Sequence, residues 1–217
     1  MTRATNARIA GFTFLLYIVV GITTLVLDQA TKADGIVQRL ALIAEHATRV
    51  RVTILLSLLV CVTALTLAIS LYAITRDVDR DLAALACACR IGEGMLGAIA
   101  PVMTLGLVWL ATGEPADTGA GAASLGAFLL HVGQWNTLIA ATLFSVGSTL
   151  FSWLLLRGRL IPVPLAWLGV VGSALLIVGL PLQLAGFLSG PVTQLMWVPV
   201  AVFELTLGPW LLVKGVR

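Results

Sequence analysis

The chain has 217 residues, of which 59% are apolar and 11% charged, with a mean hydropathy of +1.06; these values exclude a soluble globular domain and specify an integral membrane protein. Its 13 basic and 10 acidic residues leave a formal net charge of +3, too small and too dispersed for a nucleic-acid partner, so the basic residues read as topology signals and the lipid bilayer is the partner the composition names. Cys61, Cys87 and Cys89 all fall in apolar helical runs, and Cys-Ala-Cys has neither redox nor zinc-ligand spacing; free thiols are expected.

A membrane-crossing helix needs about 20 mostly apolar residues, because roughly 30 Å of hydrocarbon is crossed at about 1.5 Å per residue. Six segments qualify, at about 9–27, 52–75, 83–111, 135–156, 160–187 and 192–213. The first is longer than a signal-peptide core, and Asp28-Gln29 follows where a small-residue cleavage motif would sit, so a retained span is expected. The predicted fold class is therefore all-α, a polytopic bundle of six transmembrane helices forming a single domain over residues 1–217.

The connection from Asp28 to Arg51 contains Ile36, Leu40, Ile43 and Ala47 on one helical face, with Gln38, Arg39 and His46 largely off it. That periodicity predicts an amphipathic helix lying on the outer surface or capping the bundle. The turn Arg76-Asp-Val-Asp-Arg-Asp81 separates the second and third spans, and the third carries Gly94, Gly97, Ala98 and Pro101, a small-residue face suited to close helix packing. A Gly/Ala-rich stretch from Thr112 to Ser124 follows. The run from Ala122 to Leu156 exceeds one ordinary span, and Gly133 beside Gln134 and Asn136 predicts a break near His131, with 124–130 a short interfacial or re-entrant helix. Arg157-Gly-Arg159 and Ser189-Gly-Pro191 supply the last two connections, the second a strong helix breaker.

Arg3 and Arg8, Arg76 and Arg80, Arg157 and Arg159, and Lys214 and Arg217 all fall on one side of this threading, whereas the connections after spans three and five hold no Lys or Arg. Both termini are expected in the cytoplasm. Lys32, Arg39, Arg49 and Arg51 run against the rule, in a connection long enough to tolerate them.

Charges inside the spans mark the candidate site. Arg90 and Glu93, three residues apart, share a helical face, and Glu204 lies near the middle of the sixth span with no basic residue within nine positions on either side. A charge within the bilayer costs a few kcal/mol, so such residues either pair with one another or serve a ligand, ion or proton. The expectation is a polar cluster in which Arg90 and Glu93 meet Glu204, with His131 and Gln134, which share a face with Trp135, as further candidates. Pro209 would bend the helix next to the acid by leaving the Leu205 carbonyl without its helical partner. His46 and His131 are too few for a metal or haem site, and no cofactor is expected. Trp109, Trp135, Trp197 and Trp210 fall near span ends, as interfacial anchors do. No phosphate loop, His-Glu-x-x-His or Gly-x-Ser-x-Gly is present, no catalytic residue is assigned, and Ser145, Ser148 and Ser152 sit at packing spacings.

Four stretches resemble a known family: Arg8-Ile-Ala-Gly11; Leu71-Tyr72 with the charged turn and Leu82 to Glu93; Leu154 to Pro162 leading to Leu165-Ala-Trp-Leu-Gly169; and Glu204-Leu-Thr-Leu-Gly-Pro-Trp-Leu-Leu-Val-Lys-Gly215. They are similar to the bacterial six-span proteins grouped as domain of unknown function 4386. Phe203 and Phe14 depart from the family pattern, which has Gly and Tyr there. The resemblance implies the six-span fold and a bacterial inner-membrane location, and it carries no activity. Three functions remain open: a small-molecule or lipid-binding protein for transport or sensing, with the 36–47 helix as a lid; a structural or regulatory partner of another membrane protein or of its own copies; and, least supported, a lipid-modifying enzyme using Glu204 or His131.

Overall fold

A computed structural model describes residues 2–113 and 120–216. Among the described residues it holds nine α-helices: α1 (Arg3–Asp28), α2 (Ile36–Glu45), α3 (Ala47–Thr75), α4 (Arg80–Gly97), α5 (Ile99–Thr112), α6 (Ala120–Arg157), α7 (Val163–Leu184), α8 (Val192–Leu195) and α9 (Val198–Val213). Six stretches are long and apolar enough to cross a membrane: α1, α3, α4 with α5, α6, α7, and α8 with α9. The chain is a multi-pass membrane protein. Side chains such as Val19, Leu55, Trp167 and Val178 are exposed on the outside of the bundle, as lipid contact requires.

The six spans form a closed ring in chain order. α1 packs on α3, α3 on α4, α4 on α6, α6 on α7, α7 on α9, and α9 returns to α1. Bare backbone makes the closure tight. A Cβ on Gly11 of α1 would run into the Leu212 amide of α9, and one on Gly172 of α7 would lie 2.9 Å from the Val200 amide.

Two elements differ from expectation. The break near His131 is absent: α6 runs unbroken through Gly133 for 38 residues, about 57 Å at 1.5 Å per residue, well beyond the hydrocarbon. Segment 124–130 is thus neither a separate interfacial helix nor a re-entrant one. A glycine inside a helix weakens it by only about 1 kcal/mol, and α2 supports the protruding end. Ile43 of α2 joins Val50, Leu107 and Val108 in a second small core, with Leu129 and Leu130 of α6 packed against it. The amphipathic helix caps α5 and α6 and takes no part in the walls of the cavity described below. Of the Thr112 to Ser124 connection, residues 114–119 lie outside the described residues, and helix already resumes at Ala120.

The expected third span, 83–111, is two helices meeting at Ala98. Pro101 has no N–H for the Gly97 carbonyl, so the helix bends there. Side chains serve carbonyls next to the bend: the Cys61 thiol donates to Gly94 O at 2.9 Å and the Asn136 amide to Leu96 O at 2.9 Å. By contrast, α9 continues through Pro209 as one helix.

Candidate functional site

The charged turn that starts α4 fixes the depth of the site. Asp79 caps the helix through the Leu82 amide, 3.1 Å from its Oδ1. Glu93, thirteen residues beyond Arg80 at the helix start, lies about 20 Å along the axis. Tyr17 and Phe144 stand thirteen or fourteen residues from the same-side ends of their own helices, Arg3 and Arg157, and so reach the same level. Ring order does the rest by turning all three toward the centre.

There Arg90, 1% exposed, contacts Glu93, with Nη1 2.9 Å from Oε2. Its guanidinium carbon stands 4.6 Å from the centroid of the Phe144 ring, a cation–π contact out of reach of water. The Tyr17 hydroxyl donates to the other carboxylate oxygen of Glu93 at 3.4 Å. The ion-pair contact is poorly angled for hydrogen bonding, so Arg90 Nε and Nη1 and Glu93 Oε2 have no hydrogen-bond partner among the described residues.

On one side of this pair lies a cavity of about 370 Å³, at the small end of ligand pockets. Glu93 and Glu204 both line it, with Tyr17, Asn136, Phe144 and Trp197. Its further walls, at Thr24, Ser57 and Ala100, lie toward the side of the bundle away from the termini. On the other side Phe14, Leu71, Phe151, Leu155, Phe203 and Leu207 close around Arg90, leaving only about 10 Å³. The result is a receptacle with a floor on the terminal side. Phe14 and Phe203 are both part of that floor, each 3% exposed.

The placement of the sequence-derived candidates is mixed. Arg90 and Glu93 are joined. Glu204 shares the cavity with Glu93, but among the described residues no hydrogen bond within 3.5 Å or ion pair within 4.0 Å reaches its side chain. His131 and Gln134 are exposed on the protruding half of α6 and do not line the cavity. The His131 ring bonds Ala127 O of its own helix at 2.8 Å and stacks obliquely near Trp135, 6.0 Å between centroids. Trp197, near the start of its span, also packs on Phe144 at 6.1 Å between centroids and lines the cavity. Tyr17, Asn136 and Phe144 escaped the sequence reading because single aromatic and amide residues in apolar spans carry no periodic signal. Only the presence of a lone amide in a span hints at Asn136.

No curated protein and no solved structure matches the chain. The sequence profile of the family described as domain of unknown function (DUF4386) matches residues 9–215. With nearly the whole length matched, the chain belongs to that family.

Proposed function

We propose that the chain binds a small molecule or a lipid in the central cavity and serves a transport or sensing assembly of the bacterial inner membrane, with both termini in the cytoplasm. The observation that carries this reading is the cavity itself, closed toward the terminal side by large apolar side chains and bearing two carboxylates near the middle of their spans. A polar cluster whose only role was to hold helices together would be packed shut; this one leaves Glu204 without a close partner among the described residues, beside empty space. The floor and the cavity on its other side suit capture from the outer face. The arginines around the terminal-side turns support cytoplasmic termini.

Gly97 allows a direct test, since it lines the cavity and a Cβ there would meet nothing within 4 Å. A Gly97→Phe side chain starts from a Cβ in open space and is expected to take up part of the cavity. Native mass spectrometry of the protein in mild detergent is expected to find a co-purifying mass on the wild type that is lost from Gly97→Phe and from Glu204→Gln. Bare protein in all three, with unchanged oligomer size, would turn the search to a protein partner instead.

A further inference from the structure

We infer that the cavity selects an organic monocation, a protonated amine carrying an apolar body, with Glu204 as its counter-ion. This deepens the ligand-binding reading above and rests on it. The first ground is charge. Ionised, Arg90, Glu93 and Glu204 sum to one negative charge, and the single positive member stands behind the wall: Arg90 is buried over Phe144 and against Glu93 and is not among the lining residues. Among the described residues no Lys, Arg or His lines the cavity, whereas both carboxylates do. An anion entering it would meet two like charges and no basic side chain.

The second ground is the direction of the hydrogen bonds. The hydroxyl donors in the wall already have acceptors within the protein. Thr24 donates to Val20 O at 2.9 Å, Ser57 to Thr53 O at 2.9 Å and Thr137 to Gly133 O at 2.9 Å, while Tyr17 donates to Glu93. The Cys61 thiol and one Asn136 N–H are bound at the bend between α4 and α5. Each hydroxyl keeps oxygen lone pairs, so the wall is rich in acceptors and poor in donors. Among the described lining residues, only the second N–H of Asn136 and the Trp197 indole can still offer a proton. A ligand that fits must bring donors, which an ammonium does and a carboxylate or phosphate does not. The third ground is the remainder of the wall, mostly apolar and containing the Phe144–Trp197 pair, which suits a hydrocarbon or aromatic body and the face of a cation.

The test uses three probes with one apolar body and different heads: 4-phenylbutylamine, 4-phenylbutanol and 4-phenylbutyrate. Each is titrated calorimetrically at neutral pH into the full chain in phosphatidylcholine nanodiscs, with empty nanodiscs subtracted. The amine is expected to bind about tenfold or more tighter than the alcohol, and the acid not at all. Glu204→Gln should remove the preference for the amine while leaving the alcohol unchanged, Glu204→Asp should keep it, and Gly97→Phe should abolish all binding. Equal binding of amine and alcohol, lost in Gly97→Phe, would keep the receptacle and overturn the cation. Preferential binding of the acid would overturn it equally. Binding of none of the three would overturn both readings. Should Glu204→Gln fail to fold, the ranking of the probes on the wild type still decides.

Discussion

Arg90 Nη1 stands 2.9 Å from Glu93 Oε2, one helical turn along α4, and the two are 1% and 10% exposed at their side chains. The pair forms the boundary between two unlike halves of the bundle. Below it the ring of helices is filled by phenylalanine and leucine; above it the ring is hollow. Taking two charges out of water is costly, and their mutual attraction offsets that cost only while both are present. Arg90 is held further by the Phe144 face.

Removing one member should therefore be worse than removing both. Arg90→Leu leaves Glu93 uncompensated and is expected to destabilise the protein by about 3–5 kcal/mol. Arg90→Leu with Glu93→Gln should recover a large part of that loss. The midpoint of thermal unfolding in detergent, followed by size-exclusion of the fluorescently tagged protein, reports both. A double variant no more stable than Arg90→Leu alone would refute the pairing as the dominant interaction of Arg90.

Two glycines of α6 should respond in opposite directions. A Cβ on Gly147 would lie 2.8 Å from Arg90 Cγ and 3.0 Å from the Ala86 carbonyl, and the latter is backbone that cannot turn aside. Gly147→Ala is expected to cost about 1–3 kcal/mol by forcing α4 and α6 apart and shifting Arg90. At Gly133 a Cβ meets nothing within 4 Å, so Gly133→Ala should stabilise the protein by about 0.4–1 kcal/mol through the helix it sits in. A destabilising Gly133→Ala would restore the break that the sequence suggests there.

That break shows where the sequence is legible and where it is not. Span number, the α2 helix and the terminator at Ser189-Gly-Pro191 were legible, because length and hydrophobicity decide them within one segment. Gly190 does adopt a left-handed φ of +79°. The continuity of α6 is decided elsewhere, by α2 covering its protruding end; Gly126 of α6 lets Ile36 approach so that a Cβ there would stand 3.1 Å away. The same division holds in the site. Arg90 and Glu93 are local, an i, i+3 pair on one helix, and their spacing announces them. Tyr17, Asn136, Phe144 and Trp197 come from α1, α6 and the residue capping α9, and the order of the ring brings them together.

At the terminal-side surface Asp79 has two roles that substitution can separate. Its Oδ1 accepts from the Leu82 amide at the start of α4, and its Oδ2 pairs with Arg157 at 3.0 Å, at the end of α6. Arg157→Ala removes only a half-exposed ion pair and should change stability by less than about 1 kcal/mol. Asp79→Ala removes the cap as well and should cost about 1–2 kcal/mol. Asp79→Asn keeps a capping oxygen and should behave like Arg157→Ala. Thermal midpoints of the three variants give the ranking; equal losses for Asp79→Ala and Asp79→Asn would mean that the charge, not the cap, matters.

The side on which the cavity lies turns on the topology of the chain. The charged turns between α3 and α4 and between α6 and α7 carry Arg76, Arg80, Arg157 and Arg159, and Arg3 joins them by donating to Ile74 O from Nε at 3.1 Å and Nη2 at 2.9 Å. The opposing basic residues lie in the long connection around α2, where Arg39 stands 4.0 Å from Asp28. Short, unbalanced turns dominate orientation over long connections. In a bacterial host, a fluorescent protein fused after Lys214 should therefore be bright and an alkaline phosphatase there inactive, while phosphatase fused after Gly113 should be active. The reverse pattern would turn the floor of Phe14, Phe151 and Phe203 toward the outside and the hollow half toward the cytoplasm. The same carboxylates would then meet solutes of the cell interior, and capture from the outer face would no longer describe the protein.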